Sequence, residues 1–299
     1  MKIIIIGSKG FIGSHCYSYF SELPGIEAYG ADVVVDYNDP NYFLIDATNA
    51  DFSKVFSAHR FDWCINCAGA ASVPESFINP ERDYLLNVHH VVLLLNAIRS
   101  DGRGCRLIQL SSAAVYGNPK MLPVSEFSEL SPLSPYGVHK KQAEELCRLF
   151  FEHFGVRSTV LRIFSAFGNG LRKQLFWDLF KKTGMVGDVV LFGTGNETRE
   201  FIHVSDIVNA IFVIMQADEP CFRQINVANA NPVTIKDAAA VFFRYMNFGG
   251  DIQFNGKNRV GDPLYWQADT ALLNKLGYRQ QISFEEGIQS YCKWLKEKE

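Results

Sequence analysis

A chain of 299 residues, 47% of them hydrophobic and with a formal net charge of −3, can bury a large core or two lobes and carries no basic footprint for nucleic acid. No apolar run approaches the ~20 residues needed to cross a bilayer, and no positively charged leader precedes the first one, so a soluble, cytoplasmic protein with no membrane partner is expected. Seven cysteines, an odd number without a regular framework, fit a reduced compartment better than a disulfide scaffold.

In chain order, the β-branched run Lys2–Ile6 predicts a first strand, followed by the glycine turn GSKGFIG and the helical pattern SHCYSYFSEL. Gly7, Gly10 and Gly13 suit a tight turn, close approach to a pyrophosphate and helix-on-strand packing, with the helix N-terminus facing the negative charge. The next strand, IEAYGAD, ends at Asp32, about 20 or more residues on, where an acid reads adenosine ribose hydroxyls and repels a 2′-phosphate. No Arg or Lys follows between positions 33 and 44, which favours NAD over NADP, and Asp36 is a rival to Asp32 that falls after a second apolar run. A short strand, YFLID, leads to Asp46 and Ala47, where the aspartate is also placed to cap a following helix. Residues 61–69 predict a buried parallel strand with small residues at its end, so Ala68 and Gly69 join the candidate cofactor residues. Cys64 and Cys67, three apart, point to opposite faces of that strand and are expected as core thiols.

Residues 80–99 predict a helix, in which the adjacent His89 and His90 point in different directions; no His, Cys and carboxylate spacing in the chain suits a metal. The apolar run RLIQLSS then places Ser112 at the carboxyl end of a strand, where open α/β sheets put their ligands. After a proline-rich loop, SPYGVHKK opens a helix with Tyr136 and Lys140 on one face. A cation within reach favours a phenolate, so Lys140 is expected to lower the Tyr136 pKa. The helix continues through Leu146, Leu149, Phe150 and Phe154, and the strand STVLRIFSAFG follows. Alternating strands and helices to this point predict an α/β fold with a right-handed, doubly wound parallel sheet, Rossmann-like in form. Beyond it the pattern loosens into a helical run, LRKQLFWDLFKK, a mixed region and a closing helix, FEEGIQSYCKWLKE, which together predict a smaller mixed α/β substrate lobe. The expected division is residues 1–164 plus about 200–226 for the dinucleotide, and about 165–199 plus 227–299 for the substrate.

Ser112, Tyr136 and Lys140 resemble the catalytic trio of the short-chain dehydrogenase/reductase superfamily. GSKGFIG, SSAAVYG, SPYGVHKK, LRIFSAFG, GTGNETREFIHVSD and RVGDPLYWQADTALLNKLGY span nearly the whole chain in the order found in its extended branch, the NAD-dependent epimerase/dehydratase family. The resemblance implies NAD in the first lobe and a nucleoside-diphosphate sugar between the lobes, with Tyr136 and Ser112 acting on the carbon-4 hydroxyl. It also implies that Phe11, Ile12 and Ile163 flank the cofactor, that Asp46 and Ala47 meet its adenine, and that Asn87 stands behind Lys140. On the substrate side it implies that Arg199 meets the diphosphate and that Leu191 and Phe192 line the base pocket. Arg259 and Asp262 address phosphate and ribose, and Gln174 helps seat the nucleotide. Arginine suits a diphosphate because its fork offers paired charge-assisted donors, although Glu197 and Glu200 also make Arg199 a candidate for a surface ion-pair cluster.

Two departures from the family pattern matter. Ser165 stands where many members carry asparagine in LRxxNxxG, so one diphosphate contact is altered. Ala113 and Ala114 stand where the 4,6-dehydratases carry an acidic pair, which disfavours elimination of water. The activity expected is therefore carbon-4 epimerisation through a 4-keto sugar, in sugar-nucleotide or surface polysaccharide metabolism. A 4-ketoreductase that takes an external 4-keto sugar and a dinucleotide-sensing regulator are the alternatives, and the second needs no catalytic trio. Residues 91–98 and the Tyr136 helix resemble the pair of helices that forms a two-fold interface in the superfamily, which implies a homodimer.

Overall fold

Four consecutive isoleucines make strand β1 (Lys2–Ile6) apolar on both sides, and the sheet uses both: Ile4 and Ile6 enter one buried cluster, Ile3 and Ile5 another. In the computed structural model, residues 1–184, 187–217, 221–257 and 259–298 are described. After β1 come α1 (Phe11–Glu22), β2 (Glu27–Asp32), β3 (Tyr42–Leu44), α2 (Ser53–Ala58), β4 (Trp63–Asn66), α3 (Val73–Ile78) and α4 (Pro80–Tyr84). A π-helical turn, Leu85–His89, joins α4 to α5 (His90–Asp101), so the segment expected as one helix carries a local widening at Asn87. Then follow β5 (Arg106–Ser112), α6 (Pro135–Phe154), β6 (Ser158–Ile163), β7 (Ser165–Phe167), α7 (Gln174–Thr183), β8 (Val189–Leu191) and β9 (Thr198–His203). The chain ends with α8 (Val204–Gln216), β10 (Arg223–Val227), β11 (Pro232–Thr234), α9 (Ile235–Met246), β12 (Ile252–Phe254), α10 (Ala271–Lys275) and α11 (Phe284–Lys298).

Seven parallel strands form one sheet in the order β10-β6-β5-β4-β1-β2-β3. Parallel neighbours require crossovers, and the intervening helices cover both faces. The chain winds outward in one direction from β1 to β3 and in the other from β4 to β10. The switch point therefore lies between β1 and β4, where a crevice opens beyond the strands' carboxyl ends. A three-stranded sheet, β11-β9-β7, and the pair β12-β8 form the smaller mixed region, packed around Phe167, Phe176, Phe242 and Tyr291 with α7, α9 and α11. Segments late in the chain also return to the large sheet. Leu273 and Tyr278 join its second cluster, while Trp266 and Ala268 pack with Val115, Tyr116 and Phe164.

Cys64 and Cys67 lie on opposite sides, as alternation along a strand requires: Cys64 is in the first cluster and Cys67, just past β4, packs against the second. All seven cysteines are unpaired, and no helix among the described residues is long and apolar enough to cross a membrane. On α6, Phe150 is buried whereas Leu149 and Phe154 remain exposed, so the apolar stripe covers the sheet only in part.

Candidate active site

The glycine loop sits at the switch point because nothing larger than glycine fits there. A Cβ on Gly13 would lie 2.0 Å from the Gly7 carbonyl oxygen, and one on Gly7, at φ +79°, would lie 2.7 Å from the Ala68 nitrogen. Gly10 caps α1 without a side-chain acceptor, so the first-turn N–H groups of a 12-residue helix point into the crevice. Phe11 and Ile12, half-buried, start that helix. Asp32 ends β2 beside the loop, where its two oxygens accept from Lys9 N (2.8 Å) and Val33 N (2.7 Å). Lys9 is a cation that a search downstream of Asp32 misses, although it lies inside GSKGFIG. Its Nζ is 2.5 Å from Asp36, so the rival carboxylate is already engaged. Asp46 accepts from Thr48 N, Thr48 Oγ1 and Asn49 N, which makes a local turn and draws its pKa down. It does not cap α2, which starts beside Asp51 instead, and both Asp46 and Ala47 are exposed.

A second group assembles where β4 and β5 end. Ser134 caps α6 by accepting from Gly137 N at 3.1 Å, and Pro135 fills the first helical position, so Tyr136 and Lys140 enter the site on a rigid first turn. Ser112, the last residue of β5, lies near enough to the Tyr136 phenol to draw its pKa down, and Ile163 is its partner across the sheet on β6. Gly69 holds φ +136°, and a Cβ there would lie 2.6 Å from Asn87 Oδ1 and 3.4 Å from Lys140 Nζ. That backbone therefore touches both groups. Lys140 Nζ donates to the Leu110 carbonyl at 3.1 Å, and Asn87, 1% exposed, has neither amide atom bonded. An orphaned buried amide and a cradle closed to side chains fit a dinucleotide that brings its own donors and acceptors.

The lowering of the Tyr136 pKa expected from Lys140 does not appear here. Burial pushes the phenol up to about 12, with Ser112 opposing it and Asp83 reinforcing it. Lys140 Nζ is 5.9 Å from the tyrosine ring centroid and turned toward a carbonyl, too far to outweigh desolvation. Burial also lowers Lys140 to about 8, partly offset by Asp83.

Residues expected at a diphosphate form a third group around one half-buried carboxylate. Burial raises the Asp262 pKa, and the charges of Arg199 and Arg259 oppose it. The Arg199 guanidinium lies over Trp266, its carbon 5.5 Å from the ring centroid, and donates to the Thr198 carbonyl at 2.9 Å. Arg259 lies over Phe192 at 4.8 Å, next to Leu191 at the end of β8. The surface ion-pair reading of Arg199 fails, because its acidic neighbours are bound elsewhere. Glu197 accepts from Thr194 N and Gly195 N, and fully buried Glu200 accepts from Ala268 N and Asn231 N. Ser165 opens β7 half-buried, in register with Phe201. Gln174 stands apart, exposed at the start of α7 with φ +64°, a left-handed conformation unusual for a side chain of its size.

The sequence reading missed the buried polar network behind this site. Arg162 forms three hydrogen bonds to Glu144 and one, at 2.9 Å, to Tyr116, which donates to Asn226 at 2.6 Å. Ser111 donates to Glu144 at 2.5 Å. The network's signal in the sequence is only Arg162 between the apolar Leu161 and Ile163. Among the described residues no three His, Cys, Asp or Glu side chains gather as a metal site.

The overall fold recurs in known proteins. The chain is 25% identical to a putative UDP-glucose 4-epimerase of Methanocaldococcus jannaschii over 98% of each sequence. Its fold superposes on UDP-N-acetylglucosamine 4-epimerase from Methanobrevibacter ruminantium, solved with UDP-N-acetylmuramic acid, with a TM-score of 0.88 at 25% identity over 100% of this chain and 99% of that one. UDP-glucuronic acid 4-epimerase from Bacillus cereus, solved with UDP-glucuronic acid and NAD, gives a TM-score of 0.90 at 24% identity over the whole of both chains. The family model that matches residues 3–228 covers the glycine loop, the sheet and α6, and the chain belongs to the NAD-dependent epimerase/dehydratase family.

Proposed function

We propose that this protein is an NAD-dependent nucleotide-sugar epimerase that inverts carbon 4 of a UDP-sugar through a 4-keto intermediate. One observation carries the reading: Ser112, Tyr136, Lys140 and Asn87 converge beside a glycine loop at the switch point. A sensing protein needs only the loop. Matching relatives named as UDP-sugar 4-epimerases supply the substrate class.

NAD, when bound, supplies the hydride acceptor and, in its oxidised form, a positively charged ring. Gly7, Gly10 and Gly13 hold its phosphates against the start of α1, Asp32 takes the adenosine ribose, and Lys140 and Asn87 face the nicotinamide ribose. Tyr136 removes the proton from the carbon-4 hydroxyl while Ser112 hydrogen-bonds the same oxygen. A phenol at about 12 needs added positive charge to do so near neutral pH, so base strength here depends on the loaded site. The 4-keto sugar turns within the pocket, and Tyr136 returns the proton after reduction from the other face. Arg199, Arg259 and Asp262 grip the diphosphate and ribose, with Phe192 and Leu191 against the base and Ser165 and Gln174 at the edge of that pocket.

The two-part division at about residues 164, 200 and 226 belongs to this reading, supported by the separate aromatic core around Phe176. So does a homodimer through this face, supported by exposed Leu149 on α6 and by exposed Tyr84 and Leu85, which precede α5 at the end of α4 and the start of the π-helical turn. Seven unpaired cysteines support a cytoplasmic setting. The deciding experiment is mass spectrometry of the denatured purified protein together with an assay lacking added cofactor. Retained NAD and interconversion of two carbon-4 epimers establish the epimerase. A stoichiometric need for NADH or NADPH with a 4-keto sugar establishes the ketoreductase instead.

A further inference from the structure

Lys140 poses a charge problem that the glycine loop and the trio do not solve. Its side chain is 6% exposed, and its one hydrogen bond goes to a neutral carbonyl, Leu110 O. A buried ammonium requires a nearby negative charge to stay ionised. Glu144, one turn further along α6, is taken: Arg162 contacts both its oxygens, the closest at 2.7 Å. The carboxylate left over is Asp83 at the end of α4. It is 3% exposed, one oxygen lies 2.6 Å from His139 Nδ1, and the other is buried with no hydrogen-bond partner. Asp83 precedes Asn87 by four residues, and its partner His139 immediately precedes Lys140.

The geometry points to Asp83 as a positioning residue of the reaction centre, a fixed negative charge, anchored by His139, that keeps Lys140 cationic and sets the pH range in which Tyr136 works. The inference rests on the roles proposed above for Tyr136 and Lys140. His139 anchors rather than catalyses: its Nδ1 lies against one Asp83 oxygen and leaves the other buried in the protein. The Tyr84 ring edge closes over the imidazole at 5.6 Å. Other charged or titratable groups near Lys140 are Tyr136 and Glu144 on its own helix, Cys67 beyond β4, and Arg162 on β6 behind Glu144. Asp83 acts upward on both Lys140 and Tyr136, against burial in the first and with it in the second. A buried Asp–His pair that merely clamped α4 to α6 would not move a pH profile.

The test is the pH dependence of kcat for the cofactor-loaded enzyme, compared with Asp83→Asn and Asp83→Glu. Neutralising Asp83 lowers both the Lys140 and Tyr136 pKa values, so both limbs of the profile move to lower pH, by roughly half to one unit. On the alkaline side kcat falls about 3- to 10-fold, while the sugar KM stays within about twofold. Asp83→Glu returns the profile toward wild type, and His139→Asn, which keeps a donor, leaves its position unmoved. Should Asp83→Asn fail to fold, Asp83→Ser must show the same displacement. A folded neutral variant whose profile stays in place or moves to higher pH overturns the proposal. Ultraviolet titration of the phenolate, taken as the difference from Tyr136→Phe, needs no substrate. It therefore tests Asp83 even where a wild type inactive on nucleotide sugars has already refuted the epimerase reading.

Discussion

Tyr136→Phe keeps the ring and removes the proton-transfer group, and its expected cost is roughly 10²–10⁴ in turnover with co-purified NAD retained. Steady-state kinetics and mass spectrometry check the two halves separately, and near wild-type turnover would sink the trio. Asp32 is proposed to set cofactor choice. Its oxygens are held by Lys9 N and Val33 N beside the loop, so a 2′-phosphate there meets a fixed negative charge. Calorimetry should show NAD binding more tightly than NADP and Asp32→Ala narrowing the gap, whereas equal wild-type affinities would mean that another residue reads the ribose. Lys9, the cation in the glycine loop, is already paired with Asp36.

Among the elements, α6 holds Tyr136 and Lys140 and is tied to the sheet through charge. Replacing Glu144 by Gln leaves the Arg162 guanidinium buried without compensation, at an expected cost of roughly 3–5 kcal/mol in denaturant unfolding. Replacing both by apolar residues should recover much of that, because the desolvation penalty then disappears from both sides. Helix α8 is tied down differently. His203 Nδ1 accepts from Ser205 N at 3.3 Å at its start, the ring packs edge-on against Phe167 at 5.5 Å, and Nε2 is buried without a partner. Burial lowers its pKa to about 4, below the ordinary value of 6.5. A folded value below the unfolded one means that the unfolded chain takes the proton first, so this contribution is present above pH 6.5 and is lost as pH falls toward 4. Thermal melts across that window should show wild type losing on the order of 1–3 kcal/mol more than His203→Gln. Parallel melting curves would place the acid sensitivity elsewhere.

At the scale of the molecule, assembly is the open physical question. Tyr84 at the end of α4 and Leu85 just after it are exposed, as are Leu149 and Phe154 on α6. Light scattering at micromolar concentration should give a dimer, and Leu149→Glu, which places a charge on that face, should give a folded monomer. A wild-type monomer would mean that these side chains simply face water.

The sequence by itself determined the sheet, the glycine loop and the trio, because each is written in short spacing: a buried run before Gly7, a hydroxyl at the end of a strand, and two side chains four apart on a helix. These signals are local, and backbone geometry translates them directly. Cys64 and Cys67 were readable on opposite faces for the same reason. Only tertiary structure decided how charge is arranged. Asp83 meets His139 across 56 residues, Arg162 meets Tyr116 across 46, and Trp266 comes back to Gly117 across 149. The Tyr136 pKa belongs with these. Spacing showed a lysine within reach and predicted a lowered value, but the depth of burial, which no local pattern encodes, outweighs that cation and raises it to about 12.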